Sequence, residues 1–408
     1  VVFMFDVDKI RSDFPILNRQ INGQGLVYLD NAASSQKPQV VIDAISKVYS
    51  EEYANVHRGI HYLSMKATEN FENARSEVSN YLKSKSDQQI VFTKNATEAI
   101  NLVASSFGET EINEGDEIIL SVLEHHSNIV PWHFIRERKK AIIKWVDIDS
   151  KGLIDLEKLK SLISPKTKII SITHMSNVLG TVQPIKDIID LAHEYNIPVL
   201  IDGTQGAVHN PIDVMDLDVD FYVLTGHKLY GPSGIGVLYA KSDYLQNMKP
   251  FQGGGEMIDE VTKENVTYAS GPQKFEAGTP PIAQAIGLGE AIKYVNHIGL
   301  DEIHKHEQSI TDYARNKLMD IDGLSFLLEP SQSRGIFSFT MSGSHPHDIS
   351  TIIDKKGIAI RAGSHCAEPL LQTFGMTSTC RASIAMYNNK KDIDNLCESL
   401  LYCKKFFS

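Results

Sequence analysis

The sequence predicts an α/β fold built on a mainly parallel sheet with helices on both faces. Short apolar runs rich in β-branched residues alternate with amphipathic stretches through most of the chain. That alternation is typical of a parallel sheet buried between two layers of helices. Polar residues directly follow many of the apolar runs. Because ligands bind at the carboxyl ends of parallel strands, these polar residues are the first candidates for a functional site.

The elements follow one another in a regular order. The predicted strands of the large sheet are residues 27–29, 90–92, 118–120, 142–146, 169–172, 199–201, 221–224 and 235–239. The predicted helices between them are residues 97–106, 128–139, 156–162 and 187–195. Another helix is predicted around residues 7–14.

The composition changes after the turn Gly278-Thr279-Pro280-Pro281, where one long helical region over residues 282–319 begins. Beyond it we expect strands at 336–341, 358–360 and 382–385, and helices at 347–355 and 391–404. The sequence therefore predicts two domains. A large α/β domain covers residues 15–295, and a smaller α+β domain combines residues 1–14 with residues 296–408.

Composition narrows the function class. The net charge of −11 over 408 residues argues against a non-specific nucleic-acid binder, which needs a basic face. We expect no membrane span, because no apolar run approaches about eighteen residues, and the apolar start VVFMF is too short for a signal sequence. The four cysteines form no Cys-x-x-Cys pair, which favours a reducing compartment and no metal site.

Lys228 lies between two apolar strands, in residues 220–240, DFYVLTGHKLYGPSGIGVLYA. An ammonium group is costly to bury without a partner. If its surroundings lower its pKa, such a lysine becomes a nucleophilic amine that can form a Schiff base. The alternative is a loop lysine with its amine in water, and spacing alone favours this alternative.

Two further strand ends carry candidates for ligand contacts. Ala96 and Thr97 begin a helix, where free N–H groups attract a phosphate, although a plain helix cap has the same pattern. Neither Gly-x-Gly-x-x-Gly nor a Walker pattern is present, which disfavours a dinucleotide or nucleoside triphosphate site. His125 and His126 are adjacent and cannot chelate one metal as an i, i+4 pair would. One could stack on a flat ligand or transfer protons, or both could lie on the surface.

Two polar residues follow buried strands. Asp202 comes directly after residues 199–201, so its carboxylate needs a charged or hydrogen-bonding partner. A protonated ring nitrogen of a cofactor would serve, whereas an ordinary Asp-Gly turn is the alternative. Asn177 could donate to a substrate carboxylate or a ring oxygen, or it could shape a turn.

The last third of the chain adds a thiol and an arginine. Cys366 lies beside His365 and near Arg361, a setting that can favour the thiolate, so it is a candidate nucleophile; the alternative is an incidental thiol. Arg381 precedes a predicted strand and could bind a carboxylate with its planar fork. Taken together, the lysine, acid, phosphate cradle, histidine, arginine and thiol fit pyridoxal phosphate chemistry on a sulfur-containing amino acid.

The chain resembles the group II, SufS-type cysteine desulfurases of the class V aminotransferase family. The resemblance is carried by THMSNVLGTVQPI, VLIDGTQ, GHKLYGPSGIGVLY, FEAGTP, RAGSHCAEPL and CRASIAMYN, with YLDNAASSQKP and ANVHRGIHYLS near the start. It covers nearly the whole chain and implies the type I fold of pyridoxal-phosphate-dependent transferases.

The resemblance also implies a role for each cofactor contact. Lys228 would hold pyridoxal phosphate through a Schiff base, Asp202 would pair with its pyridine nitrogen, and His125 would stack on its ring. Gln205 would hydrogen-bond its phenolic oxygen. The phosphate contacts implied are Ala96, Thr97, Thr225 and His227, with Thr279 from a second subunit of a homodimer.

For the substrate, the resemblance implies that Arg381 and Asn177 hold the carboxylate of L-cysteine. Arg361 would lie near a persulfide on Cys366, and the remaining implied neighbours of the site are His57 and Arg58. There are two departures from the family pattern. Ala96 stands where many relatives have a second threonine, and Ser364 stands where some have histidine.

The expected reaction is the conversion of L-cysteine to L-alanine, with the sulfur transferred to Cys366 for iron–sulfur cluster assembly. A SufE- or SufU-like protein is the expected acceptor, and the cytoplasm is the expected location, or a plastid-type organelle if a transit peptide was removed. The alternatives are a selenocysteine lyase or a class V aminotransferase on the same fold. A non-catalytic scaffold of a sulfur pathway is a third alternative.

Overall fold

The computed structural model describes residues 5–407, so residues 1–4 of the apolar start lie outside it. The N-terminal part begins with helix α1 (Val7–Ser12), two residues shorter than predicted, because the chain turns into a 3₁₀ helix at Pro15. The following elements are β1 (Gln20–Ile21), β2 (Gln24–Gly25), β3 (Val27–Tyr28), α2 (Gln39–Lys47) and α3 (Tyr62–Leu82).

Seven strands form the large sheet. In chain order they are β4 (Ile90–Thr93), β5 (Glu117–Ser121), β6 (Ile142–Val146), β7 (Thr167–Thr173), β8 (Val199–Asp202), β9 (Phe221–Thr225) and β10 (Gly236–Ala240). Their spatial order is β4-β10-β9-β8-β7-β5-β6. Only the two pairings of β10 are antiparallel. The predicted α/β class with a mainly parallel sheet is confirmed, while the first predicted strand, 27–29, pairs outside this sheet.

Helices cover both faces of the large sheet. Successive strand residues point to opposite faces, so Ile201 packs in one core cluster and Leu200 in the other. The helices and the hairpin that follow α3 are α4 (Ala96–Glu111), α5 (Val130–Lys139), α6 (Leu156–Leu162), α7 (Ile185–Glu194), α8 (Gly206–His209), α9 (Val214–Leu217), α10 (Ser242–Asn247), β11 (Ile258–Val261) and β12 (Val266–Tyr268).

The long helical region predicted over 282–319 is two helices, α11 (Ile282–Ile298) and α12 (Leu300–Met319). Gly299 separates them with φ +93°. That backbone conformation is left-handed and accessible to glycine at little cost, so the chain changes direction there. The prediction of one helical stretch was wrong at this residue.

A four-stranded antiparallel sheet forms from the last part of the chain. The elements are β13 (Leu324–Phe326), β14 (Ile336–Met341), α13 (Pro346–Asp354), β15 (Ile358–Ala359), β16 (Arg361–Gly363), α14 (Glu368–Thr373), β17 (Thr379–Ser383) and α15 (Lys390–Phe407). The sheet order is β13-β14-β17-β16, and β15 pairs in parallel with β3 instead. The strand predicted at 358–360 therefore corresponds to β15, outside the four-stranded sheet, and the chain enters that sheet only at Arg361.

The prediction of a strand at 382–385 is also corrected, because β17 begins three residues earlier, at Thr379. It contains Arg381, a buried cation that a search for apolar runs does not include.

The segment 30–37 joins the two sheets. Asp30 forms a bridge with Ser383 at the end of β17, and the main-chain N–H of Ser35 donates to the carbonyl of His227 beyond β9. The division into domains at residues 15–295 stays a prediction. Among the helices of residues 5–407, none is long and apolar enough to cross a membrane.

Candidate active site

A cavity of about 190 Å³ lies between the ends of β8 and β9 and the four-stranded sheet. Most of the candidate residues predicted from the sequence line it. They are Ala96, Thr97, His125, Asn177, Asp202, Thr225, His227, Lys228, Arg361, Cys366 and Arg381. The structure thus brings together residues that are up to 285 positions apart in the chain (from Ala96 to Arg381).

Lys228 ends the 3₁₀ turn Gly226–Lys228 that follows β9. It opens onto the cavity, and protein surrounds its amine elsewhere. Burial lowers the pKa of Lys228 from 10.5 to about 8, with Arg381 and Arg361 acting in the same direction and Asp202 opposing them. The uncharged form, which attacks a carbonyl, is therefore far more populated near neutral pH than it is for a lysine with the ordinary pKa, although the amine is still mostly protonated.

Asp202 is the last residue of β8, and 2 % of its surface is exposed. Its Oδ1 accepts hydrogen bonds from the main-chain N–H and the hydroxyl of Thr204, at 3.0 and 2.6 Å. Thr204 thereby fixes the carboxylate at the wall of the cavity, where it raises the pKa of Lys228 against the effect of burial. The carboxylate is thus held where it can pair with a cationic group of a ligand.

His125 presents a neutral ring to the cavity. Burial, followed by the charge of Lys228, lowers the pKa of His125 to about 3. Its Nδ1 accepts from the main-chain N–H of Ser127 at 3.1 Å, which assigns the ring proton to Nε2. An uncharged, flat ring held in one orientation is suited to stacking on an aromatic ligand.

The N-terminus of α4 supplies an anion site. Asn95 caps the helix, with its side chain accepting from the N–H of Glu98, and Ala96 and Thr97 are the first helical residues. A Cβ on Gly236 of β10 would lie 2.3 Å from the carbonyl carbon of Asn95. Only the absence of that Cβ lets the helix start approach β10 so closely. Helix N-termini with free N–H groups bind phosphate.

His227 lies on the same side of the cavity. Burial, with the charges of Lys228 and Lys37, lowers the pKa of His227 to about 4, so its imidazole is neutral at physiological pH. A neutral imidazole can still donate one hydrogen bond to an anion.

Arg381 projects from β17 into the cavity with 2 % of its surface exposed. Its Nη1 donates to the carbonyl of Asn177 at 2.9 Å, and its Nη2 donates to Oδ1 of Asp30 at 3.4 Å. Its Nε is buried and has no partner. Burial lowers the pKa of Arg381 to about 10, so it stays a cation at neutral pH. An unpartnered N–H on a buried cation is a donor for an anionic ligand such as a carboxylate.

Cys366 lies in the loop between β16 and α14, and it is partly exposed, whereas the other three cysteines are buried. Burial raises the pKa of those three thiols, to about 12 for Cys380 and about 11 for Cys397 and Cys403. They therefore stay protonated and inert. Within residues 5–407, Cys366 is the one thiol that lines the cavity.

Four of the predicted site residues do not line this cavity. Gln205 is buried beside it and donates from Nε2 to the carbonyl of Ala32 at 2.7 Å. Thr279 lines a separate depression with Thr93 and Lys94.

The other two are bound in ion pairs on the outer surface. His57 pairs with Glu72 at 2.8 Å, and Arg58 pairs with Glu256 at 3.2 Å. Among residues 5–407, no group of three or more His, Cys, Asp or Glu side chains is placed to hold a metal ion.

Comparison with known proteins shows which family this chain belongs to. The model of the aminotransferase class-V family matches residues 27–396. The chain belongs to the class-V aminotransferase family. Within it, a probable cysteine desulfurase of Staphylococcus epidermidis is 46 % identical over 99 % of this chain and 98 % of its own length. A cysteine desulfurase of Salmonella agona is 47 % identical over 97 % of this chain and 98 % of its own length.

Solved structures agree. The cysteine desulfurase CsdA of Escherichia coli superposes with a TM-score of 0.93 at 38 % identity, covering 99 % of this chain and 100 % of that one. The cysteine desulfurase of Thermococcus onnurineus gives 0.92 at 32 % identity, covering 98 % of both chains. This class-V chain is therefore a pyridoxal-phosphate-dependent enzyme of the cysteine desulfurase group.

Sequence reasoning missed several residues of this class-V site. Those that line the cavity or hold its lining are Asp30, Asn95, Ser127 and Thr204. Asp30 comes two residues after β3, and Asp202 is the last residue of β8, so a search of strand ends would have found Asp30 as well. Ser127 and Thr204 act through short hydrogen bonds to His125 and Asp202, and small hydroxyl residues in turns carry no distinguishing signal.

Proposed function

We propose that this chain converts L-cysteine to L-alanine and retains the sulfur as a persulfide on Cys366, acting as a SufS-type cysteine desulfurase. The observation that supports this most is that Lys228 and Cys366, carried by different sheets, line one cavity. A lysine with a lowered pKa serves any reaction of this cofactor class. A partly exposed thiol in the same cavity as that lysine is needed only when the reaction transfers sulfur.

The residues present fit pyridoxal phosphate. Lys228 would bind its aldehyde carbon, Asp202 its pyridine nitrogen, and the neutral ring of His125 would lie against its plane. When bound, pyridoxal phosphate supplies an electron sink that stabilises negative charge at the α carbon of an amino acid. Gln205 would reach its phenolic oxygen, and the phosphate contacts proposed are the N-terminus of α4, Thr225 and His227.

The chain's own residues position the substrate and move its protons. The unpartnered Nε of Arg381 would bind the carboxylate of L-cysteine. Asn177 would help through its carbonyl, which holds Nη1 of Arg381 at 2.9 Å. The amine of Lys228, with a pKa of about 8, would take a proton from the α carbon and return one to the product.

The sulfur transfer is balanced within the site. The thiolate of Cys366 attacks the sulfur of the substrate, and a new S–S bond forms on the enzyme. The bond between that sulfur and the β carbon breaks, and its electron pair stays with the carbon skeleton, which gains a proton and leaves as L-alanine. One L-cysteine and one enzyme thiol thus give one L-alanine and one enzyme persulfide, with no external oxidant. Arg361, which also lines the cavity, would lie beside the sulfur anion.

Mass spectrometry after incubation with L-cysteine tests the proposal. We expect one added sulfur on the peptide that contains Cys366, and L-alanine without any keto acid. Cys366→Ser should keep the cofactor absorbance and form no persulfide. Cys397→Ser, at a buried thiol of α15, is the matched control and should behave like the parent. Alanine formation that requires a keto acid would instead indicate an aminotransferase.

We also propose that the enzyme is a homodimer in which Thr279 serves the neighbouring subunit's site. An outer face around residues 57–65 supports this. Ile60 is 94 % exposed, Tyr62 73 % and Met65 57 %. The Arg58–Glu256 pair joins this face to the segment just before the hairpin β11–β12, and Tyr268 of that hairpin is 49 % exposed. Large apolar side chains exposed together are typical of an interface.

Sedimentation of the parent protein and of Ile60→Glu tests the dimer. If a second copy covers this face, the carboxylate introduced by Ile60→Glu would be buried in the dimer without a partner. The variant should therefore sediment as a monomer, and it should retain the cofactor less well because it loses Thr279 of the second subunit. A parent protein that sediments as a monomer would contradict the proposal.

The remaining functional proposals concern the sulfur acceptor and the location. A SufE- or SufU-like protein would take the persulfide sulfur from the partly exposed Cys366, for iron–sulfur cluster assembly in the cytoplasm. Transfer of labelled sulfur from the persulfide enzyme to each purified acceptor would decide between them.

A further inference from the structure

The main-chain carbonyl of His227 receives more hydrogen-bond donors than it has lone pairs. The N–H of Ser35 donates to it at 3.0 Å, and the hydroxyls of Ser34 and Ser35 lie at 3.1 and 3.2 Å. Nζ of Lys37 is the fourth donor, at 3.1 Å. A carbonyl oxygen has two lone pairs. This carbonyl belongs to the peptide bond between His227 and Lys228. The four donors therefore fix the orientation of that peptide plane, and with it the direction in which the side chain of Lys228 leaves the main chain.

The turn itself cannot satisfy this carbonyl. It spans only Gly226–Lys228, and the N–H groups of Leu229 and Gly231 both return to the carbonyl of Gly226, at 3.0 and 2.9 Å. The carbonyl of His227 therefore depends on donors from the segment 34–37, nearly 200 residues away in the sequence.

Lys37 is costly to keep in this place. It donates to two carbonyls, those of Ser35 and His227, and burial lowers its pKa from 10.5 to about 8. Among residues 5–407, no carboxylate lies within ion-pair distance of it. A half-buried lysine with no anion beside it loses hydration without a compensating charge. The position of Lys37 is therefore poorly explained by stability alone.

We infer that Lys37 is a positioning residue that aims the side chain of Lys228 into the cavity by clamping the carbonyl of His227. Lys37 does not line the cavity, so it acts through that carbonyl and touches no substrate or cofactor. The inference rests on the proposed role of Lys228 as the lysine that binds the cofactor.

The segment that carries Lys37 also reaches the substrate side of the site. Asp30 accepts from Arg381, and the N–H of Ala32 donates to the hydroxyl of Ser383 at 2.8 Å. These contacts do not involve Lys37, so its removal should disturb Lys228 while leaving the carboxylate site on β17 in place. Steady-state kinetics distinguishes a disturbed Lys228, which lowers kcat, from a disturbed carboxylate site, which raises the KM for L-cysteine.

Lys37→Met of the holoenzyme is the test. Its kcat should fall about tenfold to a hundredfold, since a lost charge-assisted hydrogen bond and a misdirected nucleophile each have effects of that size. The KM for L-cysteine should change little. The induced circular dichroism of bound cofactor, which reports its fixed orientation independently of turnover, should weaken per cofactor bound.

Lys274→Met is the matched control. Lys274 also donates to two main-chain carbonyls, those of Leu245 and Gln246, at 3.2 and 3.0 Å, and burial also lowers its pKa, but it lies outside the cavity. The Lys274→Met protein should lose stability at most and should keep the kcat and the circular dichroism of the parent. Lys37→Met with parent kcat and parent circular dichroism, or with a loss of stability alone, would overturn the inference.

Ser34→Ala keeps the inference testable if Lys37→Met does not fold. It removes one of the four donors and should weaken the circular dichroism in the same direction by a smaller amount, whereas an unchanged signal counts against the clamp. A parent enzyme without cofactor absorbance or without persulfide on Cys366 would refute the proposed function instead. An active parent with an unaffected Lys37→Met would refute only the clamp.

Discussion

The main-chain N–H of His126 donates to the carbonyl of Cys366 at 2.9 Å, so the turn that follows β5 and carries His125 and His126 holds the loop of Cys366. Asn177 holds the same loop, donating to the carbonyl of His365 at 2.9 Å. His365 and Cys366 both have left-handed backbones, with φ of 56° and 55°. Such a conformation costs about 1–3 kcal/mol at a non-glycine residue, so the loop keeps it only while these contacts persist.

The side chain of His126 adds a further contact that depends on Glu368. Nε2 of His126 contacts a carboxylate oxygen of Glu368, and the hydroxyl of Ser364 donates to Oε1 of Glu368 at 2.7 Å. Glu368→Gln removes the charge and keeps the acceptor for Ser364. Because an exposed pair contributes about 0.2–1 kcal/mol, alkylation of Cys366 by a maleimide should become up to about fivefold faster.

The plateau of the alkylation rate at high pH separates a looser loop from a changed thiol pKa. A higher plateau indicates the looser loop, whereas a shifted midpoint alone would refute the prediction. Glu69→Gln, which breaks the exposed Lys66–Glu69 pair on α3, is the control and should leave the rate unchanged.

The sequence predicted the large sheet well because its strands are apolar on both faces, and such runs are recognisable alone. The prediction failed where the structure depends on residues that are distant in the chain, because a local sequence pattern carries no information about them. The backbone of β3 pairs with β15, about 330 residues later, which no periodicity reveals. Gly299 divides α11 from α12 through a backbone angle, while the apolar periodicity on either side continues.

The site was predicted from residue types at strand ends, and the same reasoning shows its limit. Asp202 ends the buried strand β8 and Lys228 lies in the turn after β9, so the topology brings them to one edge of the sheet. The orientation of Arg381 depends on Asp30 and Asn177, from two other parts of the chain. Thr279 lies in a separate depression, because its proposed contact is with the cofactor of a second subunit and not with the cavity of its own chain.

Lys228→Met should stabilise the cofactor-free protein below pH 8. The pKa of Lys228 is about 8 in the folded protein against 10.5 as its ordinary value. The unfolded chain therefore binds more protons between these values, so the stability of the parent rises with pH across that interval. Below pH 8 the parent carries the full penalty of burying the charge, about 3 kcal/mol.

Urea unfolding of both cofactor-free proteins measures this effect. The stability difference between Lys228→Met and the parent should be largest below pH 8 and shrink by about 3 kcal/mol towards pH 10.5. A difference that stays constant over this range would contradict a lowered pKa for Lys228.

Arg381→Lys should raise the KM for L-cysteine about tenfold to a hundredfold, the range of a lost hydrogen bond to a charged group. Lysine keeps the positive charge but lacks the planar fork that contacts Asn177 and Asp30 at once. Steady-state alanine formation measures it. Arg334→Lys, at an arginine that donates to Asn210 outside the cavity, should leave the KM unchanged. A parent-like KM for Arg381→Lys would remove Arg381 from the carboxylate site.

Gly236→Ala should weaken cofactor binding through the main chain of the helix that is proposed to hold the phosphate. The added methyl group would lie 2.3 Å from the carbonyl carbon and 2.6 Å from the Cα of Asn95, so β10 and the start of α4 must move apart. Overpacking of this kind destabilises a protein by about 1–3 kcal/mol. Displacing N–H groups from a phosphate should also reduce cofactor affinity about tenfold or more.

Fluorescence titration of the cofactor-free Gly236→Ala protein with pyridoxal phosphate measures the affinity, and urea unfolding measures the stability. Gly253→Ala is the matched control, because its added methyl group meets no atom within 4 Å, and it should match the parent in both measurements. Lower stability with unchanged affinity would mean that α4 can move without losing the phosphate. The phosphate would then be held mainly by side chains such as Thr225 and His227, and the helix N-terminus would contribute little.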